Sequence, residues 1–102
     1  MTPEAGTSLD SMLRPLFDLG RTLATPGALS LASRAGVSIP ALLERHAVGD
    51  WGDIGVGDRL ANELALPGGA RLLSAFQTDA GRLWIITEAD RSSTTVLLPD
   101  EY

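Results

Sequence analysis

The sequence predicts an α+β domain in which N-terminal helices pack on a C-terminal three-stranded antiparallel meander. Three observations carry this. Apolar residues recur at helical spacing as far as Leu66, Pro67-Gly68-Gly69 then breaks the chain, and β-branched and aromatic runs follow from Arg71.

The elements follow in order. Residues 1–8 (MTPEAGTS) are small and polar and read as a frayed end. Leu9, Met12, Leu13, Leu16 and Phe17 lie at helical spacing, but Pro15 interrupts them. The expectation is a short helical turn at 9–14, then extended chain through Leu23. Residues 1–18 are set apart as a flexible or partly helical extension, and 19–102 as a single α+β domain. Thr25-Pro26 starts a helix to about Ala35: Thr25 caps, and Pro26 suits the first turn, where its missing N–H is no loss. Leu29, Leu31 and Ala32 face inward, and Gly36 terminates. Ser38 caps a second helix with Pro40 in its first turn, Leu42, Leu43 and His46 at helical spacing, and Gly49 at its end. The loop Asp50–Gly57 is pinned by Trp51 and Ile54. Asp58 caps a third helix, Arg59 to Leu66, with Leu60, Ala61 and Leu64 on one face.

Strands are expected at Arg71–Gln77, Arg82–Glu88 and Ser93–Leu98, joined by Thr78-Asp79-Ala80-Gly81 and by Ala89–Ser92. Leu72, Phe76, Leu83 and Ile85 line one face; Leu73, Trp84, Ile86 and Leu97 line the other. One layer of helices covers one face only. The N-terminal segment or a second subunit, giving a homodimer, is expected over the other.

Composition narrows the function. A chain of 102 residues with 44% hydrophobic side chains supports one modest core. The net charge is −5, and eight Arg with no Lys supply all the positive charge, which argues against a protein that coats nucleic acid. Without cysteine there are no disulfides, thiolate nucleophiles or Cys-ligated metals. One histidine cannot build a His-rich metal site, so no metal or cofactor is expected. No apolar run approaches the ~18 residues of a membrane span and no leader pattern opens the chain, so a cytoplasmic protein with no membrane partner is expected.

Three stretches could carry chemistry. His46, after Glu44-Arg45, is either a general acid–base or a helix C-terminal side chain favourable to the dipole. Asp50 and Asp53, flanking Trp51, either approach a cation or bond loop N–H groups while Trp51 fills the core; the spacing lacks the further ligands of an EF-hand loop. Thr87–Thr95 (TEADRSSTT) offers Glu88, Asp90, Arg91 and several hydroxyls at one sheet edge, an acid–base pair with a phosphate-stabilising cation or a charged hairpin turn. Arg71 and Ser74 can reach the same face. There is no Walker loop, GxGxxG or G-x-S-x-G elbow.

ATPGAL (24–29), LLERH (42–46), GDWGD (49–53), ARLLSAF (70–76) and LWIITEADRSSTTVLLPDEY (83–102) resemble a family of small plasmid- and phage-borne bacterial proteins, over about Leu19 to Tyr102. More loosely, a helix ending in Arg-His, a loop, a third helix and a C-terminal meander bearing Arg, Ser/Thr and Glu resemble ribonuclease domains of the barnase–EndoU–colicin–RelE type. That likeness implies His46 as acid–base, Arg71 and Arg91 on the scissile phosphate, and Glu88 with Thr94 or Thr95 at the leaving group.

Three readings follow. One is a non-enzymatic interaction protein of a mobile element, binding a host or mobile-element protein such as a nuclease or defence complex through Asp50, Trp51, Asp53, Glu88 and Asp90. The acidic charge favours this one, because a basic partner is drawn to it. The second is a metal-independent ribonuclease toxin or effector, the one reading in which RNA is a partner. The third is a homo-oligomeric accessory domain. A nuclease requires His46, Arg71, Glu88, Arg91 and Thr95 in one pocket. An interaction protein expects Asp50, Asp53, Glu88 and Asp90 in one exposed acidic patch, with His46 buried against the third helix.

Overall fold

A computed structural model describes residues 14–102. The helical turn expected at 9–14 falls almost wholly outside that range, as does the frayed end. Within it the order is β1 (Arg21–Ala24), α1 (Pro26–Ala35), α2 (Ile39–Ala47), α3 (Val56–Ala65), β2 (Leu72–Thr78), β3 (Gly81–Thr87), β4 (Ser93–Leu97) and a 3-10 turn (Pro99–Glu101).

The α+β class holds, and the sheet is larger than a meander. It has four strands in the order β1-β4-β3-β2. β2, β3 and β4 run antiparallel as expected, while β1 pairs parallel with β4, Arg21 beside Ser93 and Ala24 beside Val96. One strand therefore precedes all the helices. From sequence that segment is expected to be extended, but not paired, because a four-residue strand shows no alternation and its partner lies some seventy residues on. Ahead of β1, Leu16 N–H donates to the Ala47 carbonyl (2.8 Å), and Phe17 packs beside Trp51.

The helix starts follow local chemistry. Thr25 Oγ1 accepts from Ala28 N–H (3.0 Å) and Ser38 Oγ from Ala41 N–H (3.2 Å). Gly36 closes α1 in the left-handed region. α3 begins earlier than expected, at Val56, and its N-cap is Gly55 with no side-chain bond. Asp58 lies inside the first turn, where its charge still favours the helix dipole.

Two apolar clusters form under the helices. Ala28, Leu31 and Ala32 of α1 and Leu42 of α2 pack on Phe76, Leu83, Ile85 and Val96; Trp51, Ala65 and Leu72 form the second. Leu29, expected inward, is 55% exposed, and Ala28 takes its place. The other sheet face carries Leu73, Trp84, Ile86 and Leu97. Trp84 is half-buried there against Tyr102 (ring centroids 6.0 Å), and the Arg71 guanidinium lies over the Tyr102 ring (4.7 Å). The C-terminal residue and a strand-end arginine thus lie over this face.

The largest departure is in α3. Leu60, Ala61 and Leu64, the face that the helical spacing groups, point to solvent, and the buried positions are Asn62 and Ala65. Asn62 is 3% exposed and bonds Leu73 in both directions, its Nδ2–H to the carbonyl (2.7 Å) and its Oδ1 from the N–H (3.0 Å). Covering unpaired main-chain groups on a sheet edge governs the rotation of this helix in place of burying its leucines.

Candidate interaction surface

His46 sits at the last turn of α2 with no exposed surface. Phe17 and Trp51 meet its ring edge-on, at centroid distances of 5.2 and 5.5 Å. Nδ1 lies 2.5 Å from Ser74 Oγ and Nε2 2.9 Å from Thr87 Oγ1. The chain continues from Thr87 to Thr94 (2.7 Å) and from Thr94 to the Leu19 carbonyl (2.7 Å).

These bonds fix the protons. A carbonyl only accepts, so the Thr94 hydroxyl donates to Leu19. Thr87 must then donate to Thr94 and accept from His46 Nε2–H. That leaves Nδ1 as an acceptor, supplied by the Ser74 hydroxyl. Each proton has one place, and the imidazole is neutral. Burial pushes its pKa down to about 4, with no carboxylate among these hydrogen-bond partners to hold a charge. His46 joins α2 to β2, β3 and β4 and has no access to a substrate. The group around it is aromatic and hydroxylic, with no third-helix side chain bonded to it.

The other ribonuclease-type candidates do not gather around it. Arg91, at φ 62°, donates to the carbonyls of Ala70 (2.7 Å), Glu88 (3.1 Å) and Ala65, stapling the end of α3 to the β3–β4 hairpin. Its guanidinium is held by the fold. Thr95 alternates with the buried Thr94 and so faces the opposite side of the sheet from His46. Arg71 is on Tyr102. Glu88 is exposed at the turn. None of the five lines the cleft of about 720 Å³ between Pro15, Leu19 and α2.

The Asp50–Asp53 loop also works on the fold. Trp51, 1% exposed, fills the second cluster as the loop reading expected. The Trp51 carbonyl accepts from Ala75 N–H (3.1 Å), Asp53 N–H donates to the Ala75 carbonyl (2.6 Å), and Asp53 Oδ2 accepts from Gln77 N–H (2.9 Å). Gly52, at φ 73°, lets the loop touch the strand: any Cβ there would collide with the Ala75 carbonyl and the Phe76 ring. Asp50 pairs with Arg45 (2.7 Å), whose guanidinium holds its carboxyl below the ordinary range. Asp90 is held low by bonds from Ser92. Asp53 is fixed at the Gln77 end of β2, whereas Glu88 and Asp90 follow Thr87, opposite Leu72. The four carboxylates lie at two ends of the sheet and make no single patch. Among the described residues no group of three metal-ligating side chains exists, and no helix is long and apolar enough to cross a membrane.

The surface that stands out was not among the candidates. Val56, Leu60 and Leu64 are 76%, 59% and 82% exposed. They lie four residues apart and form one row about 12 Å long on the outward side of α3, opposite Asn62 and Ala65. Gly57 and Ala61 flank the row on one side, Arg59 and Glu63 on the other. The spacing is legible in the sequence; its side of the helix is not, until Asn62 is seen to claim the inward position. The chain matches no family, no curated protein and no solved structure.

Proposed function

We propose that this protein acts by binding another protein and not by catalysis, with the outward face of α3 as its contact surface. The carrying observation is the exposed row Val56, Leu60 and Leu64. Large aliphatic side chains aligned in solvent are unusual on a monomer surface. Burying one such side chain contributes about 1.5–3 kcal/mol, so the row supplies a hydrophobic centre for an interface. Anchors at i, i+4 and i+8 suit a helix laid into an apolar groove.

The partner is a basic protein. The chain's charge of −5, with Asp58 and Glu63 on the same helix, speeds encounter with a positive surface. A nucleic-acid-processing host protein, such as a nuclease or defence complex, has such a surface, in keeping with a mobile-element inhibitor. The ribonuclease alternative finds less support, because His46 and Arg91 are occupied within the fold.

The test is affinity capture from host cells with the wild type, Leu60→Glu and Leu64→Glu. The expected result is one stoichiometric protein retained by the wild type and lost from both variants at unchanged melting temperature. Retention by the variants, or RNA cleavage that His46→Ala abolishes in a folded protein, overturns the reading.

A further inference from the structure

The two sheet edges differ. On the β2 edge the outward main-chain groups at Leu73, Ala75 and Gln77 are met by Asn62, Trp51 and Asp53. The β1 edge has no comparable cover among the described residues. Arg21 N–H donates to the Ser92 carbonyl and Thr25 N–H to the Val96 carbonyl, both at 3.0 Å. Alternate residues of a strand face its neighbour, so Arg21, Leu23 and Thr25 turn to β4. The N–H and C=O of Thr22 and Ala24 point away from the sheet. Arg21, Thr22 and Leu23 are exposed, and β1 holds neither the proline nor the lysine that commonly blunts an edge.

We infer that a second copy of this chain adds to this edge, β1 antiparallel to β1 about a two-fold axis at Leu23, joining the two sheets into one. In that register Thr22 of one copy exchanges both main-chain bonds with Ala24 of the other, and the symmetric pair repeats them. The two Leu23 side chains, each 39% exposed on its own, meet at the axis as the closely spaced non-hydrogen-bonded pair.

Charge selects the same register. Arg21 of one copy falls opposite Thr25 of the other. The Thr25 backbone is extended, and its hydroxyl donates to Glu101 Oε1 (2.7 Å). Each Arg21 therefore approaches a carboxylate held at the edge of the other copy. Donors, acceptors, the apolar centre and both charges lie along one edge of one chain, the carboxylate brought there from the C-terminal turn, which is the condition for an isologous dimer. The shared edge is short, so association belongs to the weak class of interface. This surface is separate from the α3 row.

The test is sedimentation velocity of the full chain from low to high micromolar concentration, with hydrogen exchange at Thr22 and Ala24. Thr22→Pro removes one outward N–H and leaves the bonds to β4 intact; Leu23→Lys places two ammonium groups at the axis. The expected result is a wild-type dimer whose Thr22 and Ala24 amides slow as concentration rises. Each variant should associate about tenfold more weakly or less. If a variant unfolds by circular dichroism, the wild-type amides decide alone. A monomer at every concentration overturns the inference. So does a dimer indifferent to both β1 substitutions, and its dissociation by Leu60→Glu would assign self-contact to α3.

Discussion

The Asn62 side chain and the Leu73 main chain exchange two hydrogen bonds across the gap between α3 and β2. The amide mimics the edge of a neighbouring strand, with donor and acceptor spaced to meet one residue's C=O and N–H. Its burial turns Val56, Leu60 and Leu64 to solvent, so one polar side chain both finishes the sheet and exposes the proposed contact face.

Asn62→Ala should leave both Leu73 groups unpaired and cost about 1–3 kcal/mol for each that stays dry. Urea denaturation measures the loss, and the Leu73 amide should exchange faster than in the wild type. Unchanged stability would mean that water replaces the amide and that α3 is held by Ala65, Leu66 and the Arg91 staple.

The His46 chain makes stability depend on pH. Its folded pKa of about 4 lies below the ordinary 6.5, so the unfolded state binds the proton more readily. The contribution is complete above 6.5 and falls away as pH drops towards 4, by about 3 kcal/mol in all. His46→Ala should remove that slope while lowering stability at neutral pH, because Ser74 and Thr87 lose their partner. A wild type with flat stability across this interval refutes the assignment.

What the sequence disclosed divides by range. The two capped helices, the antiparallel β2–β4 order and Trp51 in the core were legible, because caps, turns and alternation act within a few residues. β1 was not, because its pairing with β4 spans most of the chain. The inward face of α3 is hidden for another reason. Leu60 and Leu64 are the more apolar choice, and only the unpaired edge of β2, invisible in the helix itself, favours Asn62. His46 alone in the sequence suits either chemistry or structure, and it is Ser74, Thr87 and Phe17, distant in the chain, that make it structural.

Arg91 stands in the left-handed region, where a side chain is strained and glycine is not. Its guanidinium offsets that strain by bonding carbonyls of its own turn and of the α3–β2 connection. Arg91→Ala should lose about 1.5–3 kcal/mol of charge-assisted bonding and keep the strain. Arg91→Gly loses the same bonds but regains about 1 kcal/mol of backbone relief. The expected order of melting temperature is wild type, then glycine, then alanine. An alanine variant equal to or above glycine would mean that the turn relaxes once the guanidinium is gone.

The two tryptophans should separate in the same way, and in the reverse of the order their positions suggest. Trp84 lies mid-strand among Leu83, Ile85 and Ile86, where the sequence makes it look central, so that Trp84→Ala would be expected to be insoluble. It is half-buried on the second face against Tyr102. Trp51 lies in a glycine-rich loop and is 1% exposed, packed on Phe17 and His46. Trp51→Ala should therefore cost about 3–5 kcal/mol, a large share of a small domain's stability. Trp84→Ala should lose about 0.5–1.5 kcal/mol for the aromatic pair, plus part of a side chain's burial, and stay soluble. Emission identifies each directly: Trp84→Phe, which keeps Trp51, should emit at shorter wavelength and resist acrylamide quenching, and Trp51→Phe should do neither. A Trp84→Ala protein that collapses while Trp51→Ala keeps its melting temperature would move the principal core to the other face of the sheet.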